Sequence, residues 1–323
     1  MDNQALNNIE MKNFFKLVFS IFLISALACT NWSFKVTPDE TSSSINISDN
    51  GMLKDSSFNN YWYADKAEIR TYNLIQARYG ELHKGTATVI FVAQPFLKNK
   101  GVKPSSYENT KDHIPVLKMN LLKKFGTGIY PYSMMLSTFT PLEEKIGMTK
   151  ATVSGQEWCG QIFSQMNQKK NHYDVVSYSY FEEEGDRQFT LPTVLTEDEI
   201  WSRIRLDYQN LPQGEIEIIP GLYYTRLEQH EFKKEKAKAV LKPGTIETKY
   251  SIHYPARNRT IAFTFNTAFP HEIIKWEETY ADKRAPDITL TTTATLDQSK
   301  NIDYWNYNAE KYKSIRRELG VPY

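Results

Sequence analysis

The sequence predicts a mainly β protein of the α+β class. The expected form is one large, curved antiparallel meander sheet or partly closed barrel, with one or two covering helices. Three observations predict it. Aromatic residues make up 13% of the 323, carried by 20 Tyr and 17 Phe, and such rings fill the pleated surface of strands. Period-two alternation of apolar and polar residues recurs from Ala67 onward. Turn-forming clusters separate neighbouring runs into about a dozen strands, a number at which open sheets curl or split.

Read in order, the chain begins with a segment unlike the rest. From Met11, "MKNFFKLVFSIFLISALAC" has Lys12 and Lys16 ahead of an apolar stretch, Leu17 to Ala28, that ends in small residues. This is the layout of an export signal, and Met11 reads as the start of translation. The apolar run is about 12 residues, short of the roughly 20 that cross a bilayer as a helix. Residues 1–28 are therefore expected to be a signal peptide. Residues 29–57 are expected to be a polar tether, because "TPDETSSSINISDNG" holds too little apolar surface to order itself. Residues 58–323 are expected to form a single β-rich domain.

Within that domain, "ATVIFVAQPF", "YDVVSYSYF", "TIAFTFNTAF" and "ITLTTTATL" read as strands. In "IAFTF", Ile261, Phe263 and Phe265 share one face. In "KEKAKAVL", Lys234, Lys236 and Lys238 oppose Ala237, Ala239 and Leu241, so one side meets core and the other water. "GELHKG", "FGTG", "EEEGD" and "PARNR" are expected hairpin connections. "TEDEIWSRIRLDYQNLP" predicts a helix: Thr196 is the N-cap, Glu199 completes a capping box, and Ile200, Ile204 and Tyr208 form the stripe that covers the sheet. A second helix is expected over Tyr307–Leu319, stopped by Gly320 and Pro322.

"SALAC", Ser25 to Cys29, resembles the lipobox of bacterial lipoproteins, with Ala28 and Cys29 in their places and Ala26 and Leu27 in swapped order. The resemblance implies a diacylglyceryl thioether on Cys29 and an acylated amine. That would anchor the protein to the membrane through a lipid, and two or more chains are needed for a stable anchor. "TNWSFK" follows Cys29 in place of an acidic run, so the expected address is the cell envelope, at the outer membrane facing the periplasm. The alternative is an ordinary cleaved leader with an incidental cysteine. Tyr61–Phe96 and "SGQEWCGQIF" (Ser154–Phe163) are similar to segments of a family of predicted Bacteroidetes-type envelope lipoproteins without an established function. Some members carry the label septum formation inhibitor Maf. True Maf proteins are cytoplasmic nucleotide pyrophosphatases with a Ser/Arg-rich start to an α/β fold, and both the strand pattern and the export signal here contradict that label.

The net charge of +1 gives no electrostatic case for a nucleic-acid partner. No P-loop or G-x-G-x-x-G occurs, and the six histidines show no metal-ligand spacing. No cofactor or metal is expected. The candidate catalytic residues are Cys159 as nucleophile, His172 as base and Glu157 to orient it. The competing reading places Trp158 and Cys159 in or near the core, since free Cys is among the most buried residue types. The sequence thus leans away from an enzyme. It favours a lipid-anchored envelope protein with a binding or assembly role toward a lipid, another apolar ligand or an envelope protein. The alternatives are a hydrolase built on Cys159 and a purely structural subunit.

Overall fold

A computed structural model describes residues 56–106, 111–142 and 147–321. The signal segment, Cys29 and most of the expected tether lie outside the described residues. The expected tether boundary shifts slightly, because Ser56 and Ser57 already belong to a helix, α1 (Ser56–Trp62).

Among the described residues the sheet is single and has fifteen strands. They are β1 (Ala67–Arg78), β2 (Glu81–Leu97), β3 (His113–Thr127), β4 (Tyr130–Pro141), β5 (Lys150–Glu157), β6 (Gly160–Gln168), β7 (His172–Ser179) and β8 (Arg187–Pro192). Then come β9 (Leu195–Thr196), β10 (Gly214–Ile219), β11 (Glu235–Lys242), β12 (Glu247–Tyr254), β13 (Arg259–Asn266), β14 (Ile273–Ala281) and β15 (Thr289–Ile302). The first and last strands pair at the centre, Ala67 opposite Ile302. An N-terminal arm, β1 to β8, runs outward on one side, and a C-terminal arm, β15 back to β9, on the other. Every pairing is antiparallel except the short β9–β10 contact.

Chain connectivity curls this sheet. The outer edges of the two arms, β8 and β9, are joined only by Thr193 and Val194. Three peptide steps span at most about 11 Å, so the two edges must approach each other. No ladder joins them, and the barrel stays open. The turns are tight. Tyr79 and Gly80 carry φ of 55° and 76° between β1 and β2, a left-handed pair of the kind that closes two-residue hairpins. The expected "GELHKG" connection is therefore shorter than its sequence suggested, and Glu81 to Gly85 belong to β2.

Two helices occupy the inside of the curl. The expected helix is α2 (Glu197–Asp207), and Thr196 accepts from the Glu199 amide at 3.3 Å as the capping box requires. It does more than cover one face. Eight of its 11 residues are buried. Trp201 packs edge-on against Phe263 and Trp276, with ring centroids 4.9 Å away in each case. The sequence reading missed α3 (Leu222–Leu227), all six residues of which are buried. At the C-terminal end only Lys313–Glu318 is α-helical (α4), preceded by a 3₁₀ turn. One hydrophobic cluster runs from Phe58 and Trp62 of α1 through Leu121, Val153 and Val175 to Tyr250, Phe263 and Trp276.

Buried charges pin α2 at both ends. Near its N-terminus, Glu197 receives both Arg259 amino groups at 2.6 Å and the Tyr254 hydroxyl at 2.7 Å. Arg259 also reaches Glu278 at 2.8 Å. Asp198 accepts the Leu222 amide at 3.0 Å, tying α2 to α3. At the other end, Arg205 grips Glu68 of β1 with two nitrogens, at 2.5 and 2.6 Å, and the Pro270 carbonyl at 2.7 Å. Acids in the first turn and a guanidinium in the last also suit the helix dipole.

Candidate binding surface

The most site-like feature is on the outside of the N-terminal arm. In β6 and β7 the inner face holds Ile162, Met166, Tyr173 and Val175, and at one level the polar and aromatic residues trade their usual places. Ser164 and Ser177 point inward and hydrogen-bond each other at 2.8 Å. Phe163 and Tyr178, register partners on the same two strands, point outward and are 37% and 45% exposed. Continuing across the strands, Phe163 lies opposite Ser154 and Ser154 opposite Met135. An outward row Met135–Ser154–Phe163–Tyr178 therefore crosses four strands. Directly opposite side chains in such a row have Cβ atoms about 5 Å apart.

The next row toward the hairpin tips is richer in hydrogen-bonding groups. Gln156 and Gln161 are register partners, and both are exposed. Tyr180, 70% exposed, lies just past the end of β7. Its ring rests on Gly160: a Cβ there would come within 2.7 Å of the Tyr180 ring. Gly160, at φ +151°, thus serves as a seat for the aromatic ring as well as a turn residue. A groove of about 480 Å³ runs between these side chains, lined by Ser154, Gln156, Gln161, Phe163, Tyr178, Tyr180 and Asp186 among others.

The neighbouring tips add apolar surface. Trp158 is 65% exposed and Ile129 86%, and Trp158 leans on Tyr130 with ring centroids 5.9 Å apart. The tips are braced from inside. Arg226 of α3 donates to Glu157 at 2.8 Å and lies over the Phe181 ring at 4.6 Å. The Tyr130 hydroxyl donates to Glu157 at 3.3 Å and accepts from the Cys159 amide at 2.9 Å.

The sequence-derived candidates fare unevenly. Glu157 and Cys159 are brought together at the β5–β6 tip, but Glu157 is engaged by Arg226 and Tyr130. Cys159 is exposed, which corrects the expectation that it and Trp158 sit in or near the core. Both occupy a two-residue turn that has no core to enter. His172 is not brought to them. It stands at the opposite end of β7, level with Lys169, and its Nε2 contacts Asp174 at 2.9 Å. Ten residues of strand separate Lys169 from Cys159, about 33 Å at the usual rise. Among the described residues no group of three or more His, Cys, Asp and Glu side chains is placed to hold a metal ion. Also among the described residues, no helix is long and apolar enough to cross a membrane.

A second opening, about 510 Å³, lies beside α1 and is lined in part by Tyr61, Arg70, Ile246, Phe269 and Glu272. Its charges are already matched. Arg70 pairs with Glu272 and donates to Asn301 at 2.9 Å and to the Lys300 carbonyl at 3.0 Å. Phe269 packs edge-on against Tyr61 at 5.4 Å, so this opening is largely the seam along which α1 docks.

The outward aromatics were missed in the sequence. Alternation marks the two faces of each strand, but which outward side chains become neighbours depends on the register between strands. The chain matches no known family model, no curated protein and no solved structure.

Proposed function

We propose that this is a lipid-anchored bacterial envelope protein with a non-catalytic binding role, held at the outer membrane through Cys29 and facing the periplasm. Its contact surface is the outer face of β4 to β7. The observation that carries the binding role is the pair of outward aromatics on β6 and β7, Phe163 and Tyr178, which face solvent while their neighbours Ser164 and Ser177 are buried. The inner face is set by Ile162, Met166, Tyr173 and Val175, and nothing in that packing calls for aromatic rings at the outward positions. Exposed aromatic clusters of this kind mark contact sites.

The interior supports the same division of labour. A cradle for acyl chains needs an empty apolar concavity, and here α2 and α3 fill the concavity with buried side chains. Binding is thereby left to the outside. A hydrolase would need a base at the Cys159 thiol, and His172 stands at the opposite end of β7.

Cell fractionation tests both halves of the reading. Cys29→Ala should release the protein from membranes, and a variant that stays membrane-bound with unchanged mass contradicts the anchor. In the Cys29→Ala background, any remaining envelope association should fall when Tyr178 and Tyr180 are both replaced by Ala. An unchanged association contradicts the proposed surface.

A further inference from the structure

We infer that the groove on β5 to β7 binds a neutral glycan. The inference rests on the binding role proposed for this surface and names its ligand class. Three features of the groove converge on it.

The first is the pairing of aromatic faces with side-chain amides. Tyr178 and Tyr180 are two residues apart, about 7 Å along a strand, and both are exposed. Gln156 and Gln161 lie beside them in the same groove. A primary amide both donates and accepts, as does a phenol. A sugar ring offers the complement: apolar C–H faces for the rings, and hydroxyls around its edge that donate and accept in turn. A purely apolar ligand would leave the two amides without partners, at a cost in affinity.

The second feature is charge. Asp186 lines the groove, and Glu182 and Glu183 stand in the adjoining hairpin. The nearby cations are committed. Arg226 pairs with Glu157 at 2.8 Å and Lys283 with Glu183 at 3.3 Å, and Arg187 donates to the Glu183 carbonyl. Phosphates and anionic headgroups are bound by clustered, available Lys and Arg, which this groove does not present. An uncharged ligand meets no such barrier.

The third is the backbone. β5, β6 and β7 are each paired on both sides, so their main-chain groups are already used. A peptide strand cannot add to the sheet here, since strand addition needs an open edge. The groove offers side chains alone, on a rigid ladder, and its volume of about 480 Å³ falls in the usual range for small-ligand sites.

The test is a titration of the full mature chain in detergent with four neutral oligosaccharides: chitopentaose, cellopentaose, maltopentaose and mannopentaose. At least one should bind saturably, with an affinity that changes less than twofold between 50 and 500 mM NaCl. Tyr178→Ala and Tyr180→Ala should each weaken it tenfold or more, and Gln161→Ala by a smaller factor. Lys249→Ala, on the other arm, should leave it unchanged. The tyrosine and glutamine variants should keep the wild-type melting curve, which separates lost binding from lost folding. Failure of all four sugars to bind overturns the glycan assignment, and so does binding that survives Tyr178→Ala with Tyr180→Ala. If those two changes still abolish envelope association while no sugar binds, only the ligand class fails and the contact surface stands.

Discussion

The two arms of the sheet share one core yet differ on their outer faces. On the C-terminal arm the outer face is ionic, and several of its charges pair with one another. Lys249 and Lys275 both reach Glu277, at 3.2 and 2.9 Å. Lys234 meets Glu217 at 2.8 Å, and Thr279 bonds Thr291 at 2.8 Å. On the N-terminal arm the corresponding face carries Met135, Phe163, Tyr178 and Tyr180, with Ser154, Gln156 and Gln161 between them. Both faces lie on antiparallel ladders over the same apolar interior, so the fold does not demand the difference. A face whose side chains satisfy one another needs no partner. A face that shows rings and amides to water gains by acquiring one.

Both arms are built on one core and should unfold as one cooperative structure. Arg259 is almost fully buried between Glu197 and Glu278. Arg259→Met leaves both carboxylates without their cation, which should cost about 3–5 kcal/mol. Loss should appear in one thermal or denaturant transition for both arms. Separate transitions, with the N-terminal arm unaffected, would break the comparison.

A smaller effect concerns pH. Burial, and then the nearby Glu197 charge, pushes the Asp198 carboxyl up to about 8. In the unfolded chain it titrates near its ordinary value of 3.8. Between those values the folded state holds the extra proton. Stability from this group is thus intact below about pH 4 and declines as pH rises toward 8. Asp198→Asn keeps an oxygen for the Leu222 amide and removes the ionisation. It should match wild type near pH 4 and exceed it by about 1–4 kcal/mol at pH 8. Parallel stability curves would contradict this account of α2.

On the outer faces the expected effects shrink further. Glu277→Gln should cost about 0.5–1 kcal/mol at low salt and less at high salt, because its lysine partners are partly exposed. Tyr178→Ala and Tyr180→Ala should each change stability by less than about 0.5 kcal/mol. If either tyrosine change were strongly destabilising, the rings would be structural and the contrast between the arms would lose its meaning.

Much of the fold was legible because its signals are local. The Thr196–Glu199 capping box lies within one turn, and the alternation of Ile261, Phe263 and Phe265 sits on one strand and is buried as expected. The burial of α2 on nearly all sides was not legible. Ile200, Ile204 and Tyr208 mark one stripe, and nothing local marks Glu197 and Arg205 as buried. Their partners, Arg259 and Glu68, are 62 and 137 residues away. The site was hidden for a related reason. Ser164 and Ser177 take inner positions because they share the parity of Ile162, Met166, Tyr173 and Val175, while the meeting of Phe163 and Tyr178 outside depends on the pairing of two strands. Cys159 drew attention as a residue type. Its surroundings, a two-residue turn beside Trp158, come from the β5–β6 register.

The central claim is that the outer face of β4 to β7 is occupied in the native envelope. Hydroxyl-radical footprinting, comparing the purified full chain with the same protein in intact envelopes, tests it most directly. Phe269 and Tyr307, each 37% exposed and lying away from the proposed surface, serve as internal references. The account predicts that Phe163, Tyr178 and Tyr180 are protected in envelopes while the references oxidise at equal rates in both samples. Equal oxidation of the three groove residues in both samples would contradict it.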